Sequence, residues 1–210
     1  MDKTAAHHES FKQLWETKWK KPAEMGVYPF MFGTAKDFEP IVEELVKQDF
    51  REPYDWDAYA PMFFPKAEEL TKIAEEAEKA GEIEKASEYY LRASAVYRIS
   101  RFPAPRSEKQ RYAWDAGKKV CLKGLQLRPH PVQEILVPHT HGLATEGPHI
   151  PIYHLCPRTT TPAPLVIIMT GLDGYRTELA VWMSSFHALG IATAVVEIPG
   201  TGDSPADAAD

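Results

Sequence analysis

Proline is unevenly placed in this chain of 210 residues, and the placement divides what the chain can fold into. Eight of its eighteen prolines fall between residues 129 and 164 (PHPVQEILVPHTHGLATEGPHIPIYHLCPRTTTPAP). Each proline removes an amide donor and fixes φ, so the stretch reads as loops and short edge-type strands. Before it, apolar residues recur at helical spacing; after it, the order is strand, helix, strand. The sequence therefore predicts a helical domain over 1–128 and an α/β part over 129–210.

In the first part, Phe11, Leu14, Trp15 and Trp19 share one helical face. Asp37 is expected to cap a helix carrying Phe38, Ile41, Val42, Leu45 and Val46, with Pro40 tolerated in its first turn. Leu70, Ile73, Ala74 and Ala77 form a stripe that stops at Gly81, and Ala86, Tyr90, Ala93 and Tyr97 form the next. Ser107 followed by Gln110 makes a capping box for a helix through Val120. The pair around Gly81 looks like a tetratricopeptide hairpin. A partner-binding array needs about three stacked copies and one is found, so it reads as a single hairpin in a helical domain. The Glu and Lys residues between Lys66 and Lys85 mix both signs and read as its solvated face.

The second part follows other rules. VQEILV (132–137) and HIPIYHL (149–155) are short β-type runs. LVIIMT (165–170) is continuously apolar, which predicts a strand covered on both faces. A helix over 176–189 places Leu179, Trp182, Met183, Phe186 and Leu189 on one face, with Gly190 as its stop. IATAVVEI (191–198) is a second buried strand. Strand, crossover helix and strand form a right-handed βαβ unit with parallel strands, so the fold class is α/β.

Ligands of open α/β sheets bind beyond the carboxyl ends of the strands. Two Gly-rich loops fall there, TGLDGYR (170–176) and PGTGDSP (199–205). Gly171 and Gly174 are expected to allow positive φ and to aim amides at an anionic oxygen. The plainer alternative is two strand-to-helix turns that need glycine sterically.

Composition narrows the function classes. A net charge of −6 argues against nucleic acid, which demands concentrated positive charge. No run of about 18 apolar residues is present to span a membrane. The first twenty residues lack the pattern of a signal peptide, and Cys121 and Cys156 cannot build a disulfide framework; both point to a cytoplasmic, reducing location. His139 and His141 have a metal-compatible H-x-H spacing without a convincing third ligand, and read as locally bonded histidines. No cofactor and no metal is expected.

An apolar strand ending in a Gly turn, an amphipathic helix with a central Trp, and a second strand ending in P-G-x-G-x-S resemble the α/β-hydrolase fold. LWETKWK, VYPF, DFEPI, AVYRISRFP, VPHT, HIPIY, IIMTGLDGYR and EIPGTGDSPAD, in order from about Leu14 to Asp210, resemble segments of the fungal pigment heptaketide hydrolases. Those are hydrolases with a helical N-terminal lid domain. The chain departs from them at Gly202-Asp203-Ser204, where no functional consequence is expected.

The resemblance implies the first four strands of an α/β-hydrolase core behind an all-helical lid. It implies a Ser–His–Asp hydrolase that cleaves a C–C bond of a heptaketide naphthopyrone, giving tetrahydroxynaphthalene for conidial melanin. In that fold the loop after the third strand supplies an oxyanion-hole amide, here Leu172 flanked by Gly171 and Asp173. Tyr175 and Arg176 are candidates to line the pocket mouth, and Tyr97, Arg98 and Arg101 to face the substrate. The alternatives are an esterase or lactone hydrolase on the same scaffold, or a non-catalytic helical interaction protein. Besides the polyketide, the resemblance allows a homodimer and an endosomal or vesicular association.

The nucleophile is not evident. No Ser has the G-x-S-x-G setting: Ser204 lies in G-x-G-x-S, and Ser184 and Ser185 in the amphipathic helix. By the resemblance, Ser, Asp and His fall beyond Asp210, and the C-terminal half of the hydrolase is an expected partner. The fold's strand order, 1-2-4-3-5, then leaves LVIIMT with an unpaired edge. Residues 1–210 alone are expected to be poorly soluble or incompletely folded, and inactive.

Overall fold

The computed structural model describes residues 9–159 and 161–206. The chain divides after Gly124 into two compact units. The first is helical: α1 (Phe11–Leu14), a π-helical turn (Trp15–Trp19), α2 (Lys20–Met25), α3 (Ala35–Lys47), α4 (Trp56–Tyr59), a 3-10 turn (Ala60–Phe63), α5 (Phe64–Lys79), α6 (Ile83–Arg101) and α7 (Glu108–Gln126). Its core is aromatic. Phe30 meets Trp19 and Phe38 edge-on with ring centroids 5.6 and 4.8 Å apart, and Tyr59 packs on Phe63 at 4.9 Å. Each such pair adds about 0.5–1.5 kcal/mol beyond the area it buries.

The α3 cap differs from the sequence expectation. Thr34, not Asp37, is the N-cap, and Asp37 sits three residues in, reaching back to the Thr34 amide at 3.0 Å. A carboxylate there can complete a capping box and still take a distant partner. That partner is Arg92 of α6, whose Nη2 and Nε donate at 2.7 and 3.1 Å. The Ser107–Gln110 capping box forms as expected, with each amide donating to the other's side chain at 3.2 Å.

The second unit contains β1 (Gln133–Pro138), β2 (His149–Leu155), β3 (Leu165–Met169), α8 (Arg176–Leu179), a 3-10 turn (Ala180–Trp182), α9 (Met183–Ala188) and β4 (Ala192–Val196). The strand order is β1-β2-β4-β3, antiparallel across β1-β2 and β2-β4 and parallel across β4-β3. Central β4 is buried along Ala192–Val195. Edge strand β3 is not: Leu165, Ile167 and Met169, spaced by two, are 54, 62 and 62% exposed. The apolar run expected to be covered on both faces is covered on one. Among the described residues its partner strand is β4, and the face carrying Leu165, Ile167 and Met169 is exposed.

The crossover helix is also less regular than its period suggests. The 3-10 turn interrupts it, and a 3-10 turn advances each residue further around the axis than an α-helix does. Met183 is fully buried, whereas Trp182 and Leu189, expected on the same face, are 51 and 74% exposed.

Candidate active site

The two Gly-rich loops do follow the parallel strands β3 and β4. The Thr170 amide extends the β3–β4 ladder by donating to the Val196 carbonyl at 3.0 Å. The chain then turns tightly, with the Gly171 amide donating to the Gly174 carbonyl at 3.2 Å. Between them, Leu172 is 78% exposed and its amide donates to no acceptor among the described residues. A backbone N–H with no protein acceptor, held in a closed turn at the end of a strand, suits an oxyanion.

The glycines play unequal parts. Neither Gly171 nor Gly174 has the expected positive φ, and a Cβ at Gly171 would meet nothing within 4 Å. Gly202, in the second loop, has φ +54° and lies where a Cβ would approach the Glu197 side chain to 2.6 Å. The steric demand therefore sits in the loop after β4, which must pass over a buried carboxylate.

That carboxylate belongs to an ion cluster under both loops. Arg176 opens α8 and is 2% exposed. Its Nη1 donates to both oxygens of Glu197, at 3.0 and 2.8 Å. Its Nη2 donates to Asp203 at 2.7 Å and to Glu134 of β1 at 3.1 Å. Burial disfavours the guanidinium's charge, but Glu197, Tyr153 and Asp203 outweigh it and hold the pKa above its ordinary value. Burial pushes Glu197 above the usual carboxylate range, and neighbouring Asp203 adds to the rise against the pull of Arg176. Arg176 thus ties β1, the end of β4 and both Gly-rich loops together. Asp203 has a definite partner although the sequence assigns it no role.

Tyr175, beside Arg176, is 2% exposed, and its amide donates to Glu178 one turn on. Tyr97, Arg98 and Arg101 lie at the end of α6 in the helical unit and are 4, 4 and 0% exposed. Burial raises the Tyr97 pKa. The Arg98 guanidinium lies over Tyr28 and Phe102, at 4.7 and 5.3 Å, and that of Arg101 over Trp114, at 5.2 Å. Among the described residues, no histidine hydrogen-bonds Ser184, Ser185 or Ser204; Ser184 accepts from Arg128 at 3.4 Å. His139 Nδ1 lies 3.2 Å from the Gly147 carbonyl, and no group of three side chains positioned to hold a metal occurs among the described residues.

Sequence reasoning missed Glu134, Glu197 and Asp203 as partners of Arg176. Glu197 left a signal, since a carboxylate ending a buried strand requires a counter-charge.

No protein-family model and no curated sequence matches the chain. Among solved structures, the 2,6-dihydroxy-pseudo-oxynicotine hydrolase superposes with a TM-score of 0.63 at 20% identity, over 81% of this chain and 44% of that one. The fold is that of an α/β-hydrolase behind a helical domain. AbyA5 matches at 20% identity with a TM-score of 0.49, over 68% of this chain and 37% of its own. This chain thus spans less than half the length of either structure. No helix among the described residues is long and apolar enough to cross a membrane.

Proposed function

We propose that this chain is the N-terminal part of a serine-type hydrolase, with the helical unit as its lid. Its substrate would be a heptaketide naphthopyrone, shortened to tetrahydroxynaphthalene in pigment synthesis. The observation that carries the reading is the amide of exposed Leu172, which has no acceptor among the described residues, beside a Gly171 amide already closed on Gly174. The fold supports the reaction class, and the sequence resemblance supports the substrate.

In this reading a Ser from the segment after β4, activated by a His, attacks the ketone carbonyl. The Leu172 N–H donates to the tetrahedral oxyanion. The C–C bond then breaks, and its electron pair is delocalised into the aromatic polyketide and protonated. Water hydrolyses the acyl-enzyme and regenerates the serine. Gly171 and Asp173 flank the donor, while Tyr175 and Arg176 fix the turn from beneath. Tyr97, Arg98 and Arg101, expected to face the substrate, are buried against aromatic rings of the helical unit and in this reading support its shape rather than touch the substrate. The remaining half of the hydrolase would pair with the open edge of β3 and cover Leu165, Ile167 and Met169, the apolar row that supports this part of the reading.

The test is to incubate the complete enzyme with heptaketide naphthopyrone. Release of tetrahydroxynaphthalene is the expected result. Cleavage of aryl esters alone would favour an esterase, and a folded protein with neither activity would overturn the proposal.

A further inference from the structure

We propose that the end of the sheet away from the Gly-rich loops holds a binding pocket for a tetrahedral oxyanion, governed by histidine protonation. A cavity of about 280 Å³ opens there, lined by His130, Gln133, His154, Cys156, Arg158 and His187 together with backbone-fixing prolines. Leu155 of β2 pairs with Thr193 near the start of β4, so this cavity lies opposite the carboxyl ends of β3 and β4.

Three elements bring these side chains together. His130 follows α7, His154 and Arg158 flank the end of β2, and His187 projects from α9. The rings of His130 and His187 face each other with centroids 4.1 Å apart and planes inclined by 31°. Arg128 donates to Ser184, one turn before His187 on α9, and adds positive charge on that flank. Among the described residues no carboxylate lines the cavity. Glu134, next to Gln133, points to the opposite face of β1, where it binds Arg176.

The chemistry follows from this inventory. Two facing imidazoles repel when both are protonated, and an oxyanion between or beside them relieves that repulsion. Arg158 adds a planar fork suited to two oxygens of sulfate or phosphate. The ligand class is therefore sulfate or phosphate, free or as the monoester of a small molecule. The site does not depend on the hydrolase reading.

Calorimetric titration of the full-length protein with sodium sulfate tests it, at pH 5.5 and 7.5 and constant ionic strength. Sulfate keeps its charge over this range, so any pH dependence belongs to the protein. A protonated imidazole attracts sulfate and a neutral one does not, so affinity should be several-fold weaker at pH 7.5 than at pH 5.5. His187→Gln should flatten that dependence, and Arg158→Gln should weaken binding at both pH values, with circular dichroism confirming that each variant is folded. Tighter binding of phenyl phosphate than of phosphate would identify an ester ligand, and equal binding a free ion. Absent sulfate binding at pH 5.5, equal affinity at both pH values, or an unchanged pH dependence in His187→Gln would overturn the proposal.

Discussion

Arg176 and Glu197 are joined twice, once through the guanidinium to both carboxylate oxygens and once through the Arg176 backbone amide, which donates to Oε1 at 2.9 Å. The side chain and main chain of one residue thus grip a single carboxylate at the end of β4. This fixes where α8 begins and where the preceding turn, with Leu172 in it, must lie.

Removing the guanidinium leaves Glu197 buried without its counter-charge. Arg176→Met should cost about 3–5 kcal/mol in urea unfolding. Arg176→Lys keeps the charge but loses the fork, and should cost less. Equal stability of wild type and Arg176→Met would refute the bracing role.

Glu197 also sets a pH dependence. Its folded pKa lies above the unfolded 4.5 because burial favours the neutral acid. Its contribution to stability is therefore complete below pH 4.5 and is lost as pH rises through the folded value. Glu197→Gln cannot ionise, so the stability of wild type relative to Glu197→Gln should fall as pH rises above 4.5. Parallel pH profiles would contradict this.

The helical unit responds in the opposite sense. Burial opposes the ionised form of Asp37, but Arg92 and the Thr34 amide overcome it and hold the pKa below 3.8. The resulting stability is present above pH 3.8 and lost as pH falls through the folded value. Asp37→Asn should cost about 1.5–3 kcal/mol at pH 7 and flatten the acid limb of helical unfolding followed by circular dichroism.

The two loop glycines should part company on substitution. Gly202→Ala meets both a positive φ and Glu197, and should cost about 1–3 kcal/mol. Gly171→Ala enters open space at an ordinary φ and should change stability by no more than about 0.5 kcal/mol. Differential scanning calorimetry of the two variants makes the comparison, and a Gly171→Ala loss as large as that of Gly202→Ala would count against the turn described here.

Periodicity made most of the fold legible, because the stripes on α3, α5 and α6 and the runs of β3 and β4 are each set by one segment's own pattern. Two features escaped it. The 3-10 turn Ala180–Trp182 interrupts the crossover helix without a proline or glycine to mark it, and Trp182 and Leu189, at one edge of the expected stripe, are exposed while Met183 is buried. The partners of Arg176 come from positions 134, 197 and 203, and the cavity that His187 lines is completed by residues around 130, 154 and 158. Such clusters are assembled by sheet register, which no local pattern encodes. The donor role proposed for Leu172 rests on its loop, since an amide donor leaves no side-chain signature.

In the proposed hydrolase, residues 1–210 supply the oxyanion loop and the nucleophile comes from the chain beyond. Labelling with a fluorophosphonate, which phosphonylates an activated serine, followed by peptide mass spectrometry tests it directly. One labelled serine beyond position 210 is expected in the complete protein, and none in residues 1–210 alone. A label on Ser184, Ser185 or Ser204 would contradict it.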